Sequence, residues 1–407
     1  MNLLFIFTGG TIASTKQEGL VRIDPSKKGM LLEAYREKYP EENDITYHEW
    51  KPCYMHSENH DGESIRLVAE SVVQAVTAKE GYDGVIVFHG TDTLAYTAAA
   101  CAYVVGNSCR PVVFVSANFP LEDPRSNGLD NFHGAVCFLR QSVQERKRGK
   151  GEHTEGKCQE YELLEGEQQE AGCQECGLLE DGHQEARQSK EENYKGVFVS
   201  YRNGGEPCRI YRATRIQAYR PFSDVLRSTF GSFVGTITEK SGRSGDSGCG
   251  FSIFHPNKSS SFEELPDEIA PLSIEGMSAQ SPVLRLPCYP GMVYPDSAAL
   301  KKQGIRAVLM DSYHSGTINT KSKASCRFYQ DMFQIGIPLY VAGINGEAAY
   351  ESTEKFARYG IHPLLRLAPV AAYMKLWLGI SSGLSPEEFL EKPLAGDRFT
   401  INDRAGH

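Results

Sequence analysis

The sequence predicts an α/β protein in which a larger N-terminal parallel-sheet domain with flanking helices precedes a smaller C-terminal α/β domain. Three observations carry that prediction. Short β-branched runs alternate with longer amphipathic ones through the first half of the chain, the pattern of parallel strands joined by helices. Two of those strands run into loops rich in Gly and Thr, and open α/β sheets bind ligands at the carboxyl ends of their strands. With 407 residues, 40% of them hydrophobic, the chain can fill two or three domain cores.

The elements follow in order. Residues 3–7 read as a buried strand ending in Thr8-Gly9-Gly10-Thr11; the apolar start lacks the basic region and cleavage site of a secretory leader. Leu67, Val68, Val72, Val73 and Val76 recur near helical spacing and predict a helix over 64–78. Residues 85–88 form a second strand, ending in His89-Gly90-Thr91-Asp92-Thr93. An Ala-rich helix is expected over 95–105, a strand over 112–115, a helix over 128–139 and a strand over 196–201. The Gly- and Ser-rich stretch 240–261 reads as a linker or long loop. Strands at 282–287, 307–310 and 338–341 and a last helix at 369–378 complete the smaller domain. The expected division is a catalytic domain over 1–239, a linker over 240–280 and a second domain over 281–407.

Formal net charge is −9, with no basic run able to neutralise a row of phosphates, so a small molecule is expected as ligand rather than nucleic acid. Residues 141–195 hold 14 acidic and 8 basic side chains, which is two-thirds of the net charge. That segment contains a tandem repeat, residues 158–172 and 173–187 matching at nine of fifteen positions. It reads as a solvated, disordered insertion at the amino edge of the sheet, away from the two Gly/Thr loops. Its Cys158, Cys173, Cys176 and His183 are the inventory of a zinc site, but a single Cys-x-x-Cys is weak evidence and no cofactor is inferred. The 11 cysteines lack regular spacing and read mostly as free thiols; no apolar run reaches membrane-span length, and a cytoplasmic location is expected.

The chemistry lies in the two Gly/Thr loops. Each sets hydroxyls and free backbone N–H groups at a strand end where glycine lets the main chain approach a ligand. A threonine becomes a nucleophile when a neighbour accepts its proton, and backbone amides stabilise the resulting oxyanion. Asp92 offers a fixed negative charge for an ammonium group. Singly, Gly9-Gly10 is a tight turn and Thr91 or Asp92 a helix cap; as a pair in this order they suit acyl transfer on a small zwitterion. No dinucleotide or P-loop fingerprint follows either strand.

These residues resemble the bacterial-type L-asparaginases, more closely the cytoplasmic type I branch. The likeness rests on TGGTIAS at 8–14, HGTDTLAYTAA at 89–99, RPVVFVSANFPLEDPRSNGLDN at 110–131 and, less strictly, residues 291–379. It implies a cofactor-free amidohydrolase converting L-asparagine, or L-glutamine, to the acid and ammonia, assembled as a homodimer or homotetramer. It implies Thr11 as nucleophile beside Gly10, Thr91 as second catalytic threonine, Asp92 as the acid gripping the substrate ammonium, and Ser57 on the substrate carboxylate. Three positions depart from the pattern. Leu20 replaces the family's loop tyrosine and cannot move a proton. Arg215 falls where the family's catalytic lysine is expected; a guanidinium stays protonated and cannot be the neutral amine, but as a catalytic residue it is expected to hold Thr91 and the substrate electrostatically. Glu58 replaces a neutral polar residue that would sit against the substrate. The alternative reading is a catalytically impaired homologue that binds an amino acid; the amidase component of a tRNA-dependent amidotransferase shares these motifs but would carry an RNA-binding surface, which this acidic chain does not show.

Overall fold

The computed structural model describes residues 1–18, 20–23, 28–40, 44–79, 81–150, 194–239, 249–253, 261–346 and 350–402. Strand β1 (Asn2–Phe7) sends Leu3, Phe5 and Phe7 to one face of the sheet and Leu4 and Ile6 to the other, all buried, as a strand covered on both faces requires. A hairpin of β2 (Ser14–Gln17) and β3 (Leu20–Ile23) follows, then α1 (Lys28–Lys38) and β4 (Thr46–Trp50). Helix α2 (Gly62–Thr77) leads to β5 (Gly84–Phe88), α3 (Leu94–Val105) to β6 (Val112–Val115) and α4 (Gly128–Lys150) to β7 (Val197–Tyr201). Strands β4, β1, β5, β6 and β7 are parallel neighbours in that order. The antiparallel strands β8 (Arg209–Arg212), β9 (Gly235–Glu239) and β10 (Cys249–Ile253) extend the sheet to eight. Helices α2 and α3 cover one face, α1 and α4 the other.

The smaller domain has a parallel sheet of β12 (Val283–Pro287), β13 (Ala307–Asp311), β14 (Leu339–Ile344) and β15 (Ile361–Leu365), with β11 (Ser261–Glu264) and β16 (Phe399–Asn402) paired separately. Its helices include α5 (Ser297–Lys302), α6 (Lys323–Ile335) and α7 (Pro369–Ser381). Helix α7 packs its buried Ala371, Met374 and Leu378 in the same apolar core as Ala98, Ala102 and Tyr103 of α3, so the two sheets share one core.

The structure departs from the sequence reading in two places. Helix α4 continues through Lys150, inside the stretch expected to be a disordered insertion, because Ser142 is buried and Arg146 donates to the Asp83 carbonyl at 2.7 Å. The polar stretch 240–261 supplies β10, whose residues pair in register with β9, rather than serving only as a linker. Residues 151–193, with the repeat and its Cys and His residues, lie outside the described residues. Among the described residues, no cluster of three potential metal ligands occurs, and no helix is long and apolar enough to cross a membrane.

A fully buried ion pair closes the shared core. Lys375 of α7 donates to Asp397 at 2.7 Å, Tyr103 of α3 donates to the same carboxylate oxygen at 3.0 Å, and the Leu394 amide donates to the other at 3.0 Å. Burial drives the Lys375 pKa down while Asp397 opposes it. Asp397→Asn leaves the ammonium buried without its counter-charge, and urea unfolding should show a loss of about 3–5 kcal/mol. A loss below about 1 kcal/mol would show that the pair does not hold the tail to the helices.

Candidate active site

The parallel strands deliver both Gly/Thr loops to one edge of the sheet. The β1 loop turns back along residues 53–57: the Met55 amide donates to the Thr8 carbonyl at 3.0 Å and the Gly10 amide to the Met55 carbonyl at 3.2 Å. Gly9 and Gly10 have φ of +103° and +82°, a region glycine enters without steric cost. A Cβ on Gly10 would collide with the Gly90 backbone, and one on Gly90 would stand 2.5 Å from the Ser57 hydroxyl and 3.1 Å from the Gly10 Cα. The loops therefore touch backbone to backbone at Gly10 and Gly90, and Thr11 and Thr91 each follow that contact by one residue.

Most hydroxyls here are committed to holding the loops. Thr8 donates to the Phe88 carbonyl at 2.9 Å, Ser14 to the Gly10 carbonyl at 2.8 Å, and Thr93 to the Ser57 carbonyl at 2.9 Å. Buried Ser57 donates to the Asp92 carboxylate at 2.9 Å and receives the Asp92 amide at 3.3 Å. Among the described residues, the hydroxyls of Thr11 and Thr91 have no hydrogen-bond partner, and both side chains are half-buried. Asp92 and Glu58 are exposed at the mouth. The structure thus gathers Gly10, Thr11, Ser57, Glu58, Thr91 and Asp92 on one edge.

Arg215 is not part of that gathering. Strand β8 runs antiparallel to β7 with Arg212 opposite Phe198, so Arg215, in the turn beyond, sits at the amino edge of the sheet. Its guanidinium donates to the Gly396 carbonyl at 2.8 Å, pairs with Glu264 at 2.9 Å and lies 4.5 Å from the centre of the Phe399 ring. Gly396 adjoins Asp397, the partner of Tyr103 at the far end of α3, which at 1.5 Å per residue is about 15 Å from the Thr93 end. The expectation that Arg215 acts on Thr91 is therefore corrected: the arginine clamps the C-terminal segment. Burial works against the charge of Glu264, but Arg212 and Arg215 hold its carboxyl below the usual range.

Leu20 opens the return strand of the hairpin, opposite Gln17, with its side chain 57% exposed. Thr15 of the same hairpin donates to Glu122 at 3.3 Å, tying it to the loop after β6. Met55, the backbone partner of the first loop, escapes sequence reasoning. Its sole signal is the Gly9-Gly10 pair, which demands a close neighbour without saying which.

The family description "Asparaginase, N-terminal" matches residues 2–151. The match to that family is thus confined to the first 151 residues. The L-asparaginase 1 of Escherichia coli K12 is 33% identical over 131 residues, 32% of this chain and 38% of that protein. The L-asparaginase of Thermococcus kodakarensis is 31% identical over 140 residues, 34% of this chain and 41% of that one. These matches thus span well under half the length of either relative. The solved structure of the thermostable L-asparaginase from Thermococcus kodakarensis shares the whole fold, with a TM-score of 0.62 over 98% of this chain and 99% of that one at 18% identity. The described residues thus share the fold of that protein.

Gly10→Ala forces a strained φ and a backbone collision at once, and its expected cost is about 2–4 kcal/mol of stability with loss of ligand binding. Thermal unfolding and calorimetric titration with L-asparagine check this; an alanine variant as stable and as tight-binding as the parent would mean the two loops do not need their contact.

Proposed function

We propose that the protein is an L-asparaginase-type amidohydrolase using Thr11 as nucleophile. The observation that carries this reading is the pair of uncommitted hydroxyls, Thr11 and Thr91, flanking the Gly10–Gly90 contact in a loop cluster whose Thr8, Ser14, Ser57 and Thr93 hydroxyls are all engaged. The exposed Asp92 carboxylate, already accepting from Ser57, receives the substrate ammonium, and Ser57 and the loop amides face its carboxylate. Thr11 Oγ bonds to the side-chain carbonyl carbon, its proton passes to the amide nitrogen, and ammonia leaves as the C–N bond breaks. Water then cleaves the ester, releasing aspartate and returning a proton to Thr11. Thr91 stands beside this path as the second hydroxyl. Glutamine is the longer homologue the same groups would take, and no cofactor is required by these steps.

The amino-acid-binding reading is favoured by one observation: Arg215 lies at the other end of α3 and Leu20 carries no hydroxyl, so neither serves as a base. The expected assembly is a homodimer or homotetramer, with the exposed mouth at Asp92 and Glu58 turned to a neighbouring copy, which sedimentation equilibrium tests. The mostly free thiols, Cys53, Cys101, Cys109, Cys208, Cys288 and Cys326, suit a cytoplasmic location, while Cys137 is disulfide-bonded.

Ammonia release from L-asparagine decides between the readings. The hydrolase reading expects turnover that Thr11→Ala and Thr91→Ala each reduce by about 10²–10⁴-fold, with L-asparagine binding retained. Tight binding with no release from the parent protein would instead establish the binding-protein reading. Because Arg215 is a clamp, Arg215→Lys should leave turnover no higher and lower the melting temperature; a rise in turnover would place that side chain in the chemistry after all.

A further inference from the structure

Directly beneath the threonine loop two imidazoles stack. His89, at the end of β5, is fully buried; His60 directly precedes Asp61, the cap of α2. Their ring centres are 4.8 Å apart and the planes differ by 20°. His89 Nδ1 lies 2.8 Å from the Gly90 carbonyl oxygen, which only accepts, so Nδ1 carries the proton and Nε2 is bare. Among the described residues, His89 Nε2 and both ring nitrogens of His60 are buried without a hydrogen-bond partner. Three such buried atoms in one place call for an explanation.

We infer that His89 is a positioning residue for the reaction: the uncharged His89–His60 stack holds the Gly90 carbonyl, and through it Thr91 and Asp92, so that gain of a proton by the stack sets the acid limit of the site. Gly90 is the residue pressed against Gly10 and Ser57, so a tilt of its peptide moves both threonine loops. A proton on either ring creates a buried N–H with no acceptor and a cation against an apolar wall. The groups facing the stack offer little relief. Asp61 accepts the Ser64 amide at 3.0 Å, Arg66 of α2 is paired with Glu70 at 3.1 Å, and Asp92 is engaged with Ser57. Glu58 is exposed, Phe114 of β6 is neutral, and Tyr96 of α3 accepts from Arg285.

The titration follows the same sense. Burial, with His60 adding to it, lowers His89 to about 3, and burial lowers His60 below its ordinary value despite Asp61. Because the folded state binds these protons less readily than the unfolded chain, the stack stabilises the fold above about pH 6.5 and loses that contribution as the pH falls from there toward 3.

The kinetic half of this inference rests on the hydrolase reading; the stability half does not. His60→Phe keeps a flat ring and removes one titrating group. It should extend the activity plateau and the plateau of melting temperature by about one pH unit to the acid side. His89→Asn keeps a donor near the Nδ1 position and should retain most of kcat, whereas folded His89→Leu should lose about 10²-fold in kcat. An active parent with an acid limb and a melting profile unchanged by His60→Phe, or a folded His89→Leu with full kcat, overturns the inference. A parent that releases no ammonia at any pH overturns the hydrolase reading instead, and the melting profile of His60→Phe then decides this one alone.

Discussion

The site depends on one backbone contact, that between Gly10 and Gly90. Two parallel strands bring their ends to the same edge, but only residues without a Cβ can let the following loops touch, and the touch puts Thr11 and Thr91 on adjacent chains. Everything around it keeps that contact in place. Met55 braces the first loop from outside, Thr8 ties β1 to the end of β5, and Ser57 fills the space beside Gly90 while engaging Asp92. Such a cluster is preorganised: its hydrogen bonds are made within the protein, and the hydroxyls of Thr11 and Thr91 are the ones left over.

Helix α3 gives the molecule two distinct ends. Its start follows the threonine loop, where Asp92 is exposed. Its end carries Tyr103, part of a buried polar network with Asp397 and Lys375, and close by Arg215 and Arg212 share Glu264. The guanidiniums are well suited to this second role, since each is planar, permanently charged and able to stack, Arg212 on Phe198 and Arg215 on Phe399. A lysine at 215 would have offered one point charge to contacts that need several donors.

Much of this is legible in the sequence. The strand 112–115 is bounded there to the residue, and α2, β5, α3 and α7 within a few, because each is a long or strongly apolar run between Gly, Pro or capping residues. Edge strands are not: β4, reading Thr-Tyr-His-Glu-Trp, mixes exposed and half-buried positions and carries no clean alternation. β10 is hidden in a Gly- and Ser-rich stretch, since its pairing with β9 is set by the neighbour and not by its own composition. At the site, the two Gly/Thr motifs mark Thr11, Thr91 and Asp92 at strand ends, whereas Ser57 enters only through the family resemblance. Arg215 is misplaced by its counting position in the chain, which ignores the length of the β7–β8 turn that decides which end of the sheet the return strand reaches.

The core shared between α3 and α7 bears on what counts as a unit of this protein. The stretch matched to the asparaginase family stops at residue 151, yet Ala98, Ala102 and Tyr103 within it lie in a core with Met374, Leu378 and Lys375 from more than two hundred residues downstream. It also lacks β7, the neighbour of β6. A segment recognisable by descent is thus not a segment able to bury its own apolar surface. The boundary drawn by kinship and the boundary drawn by cooperativity do not coincide, and the chain folds by the second.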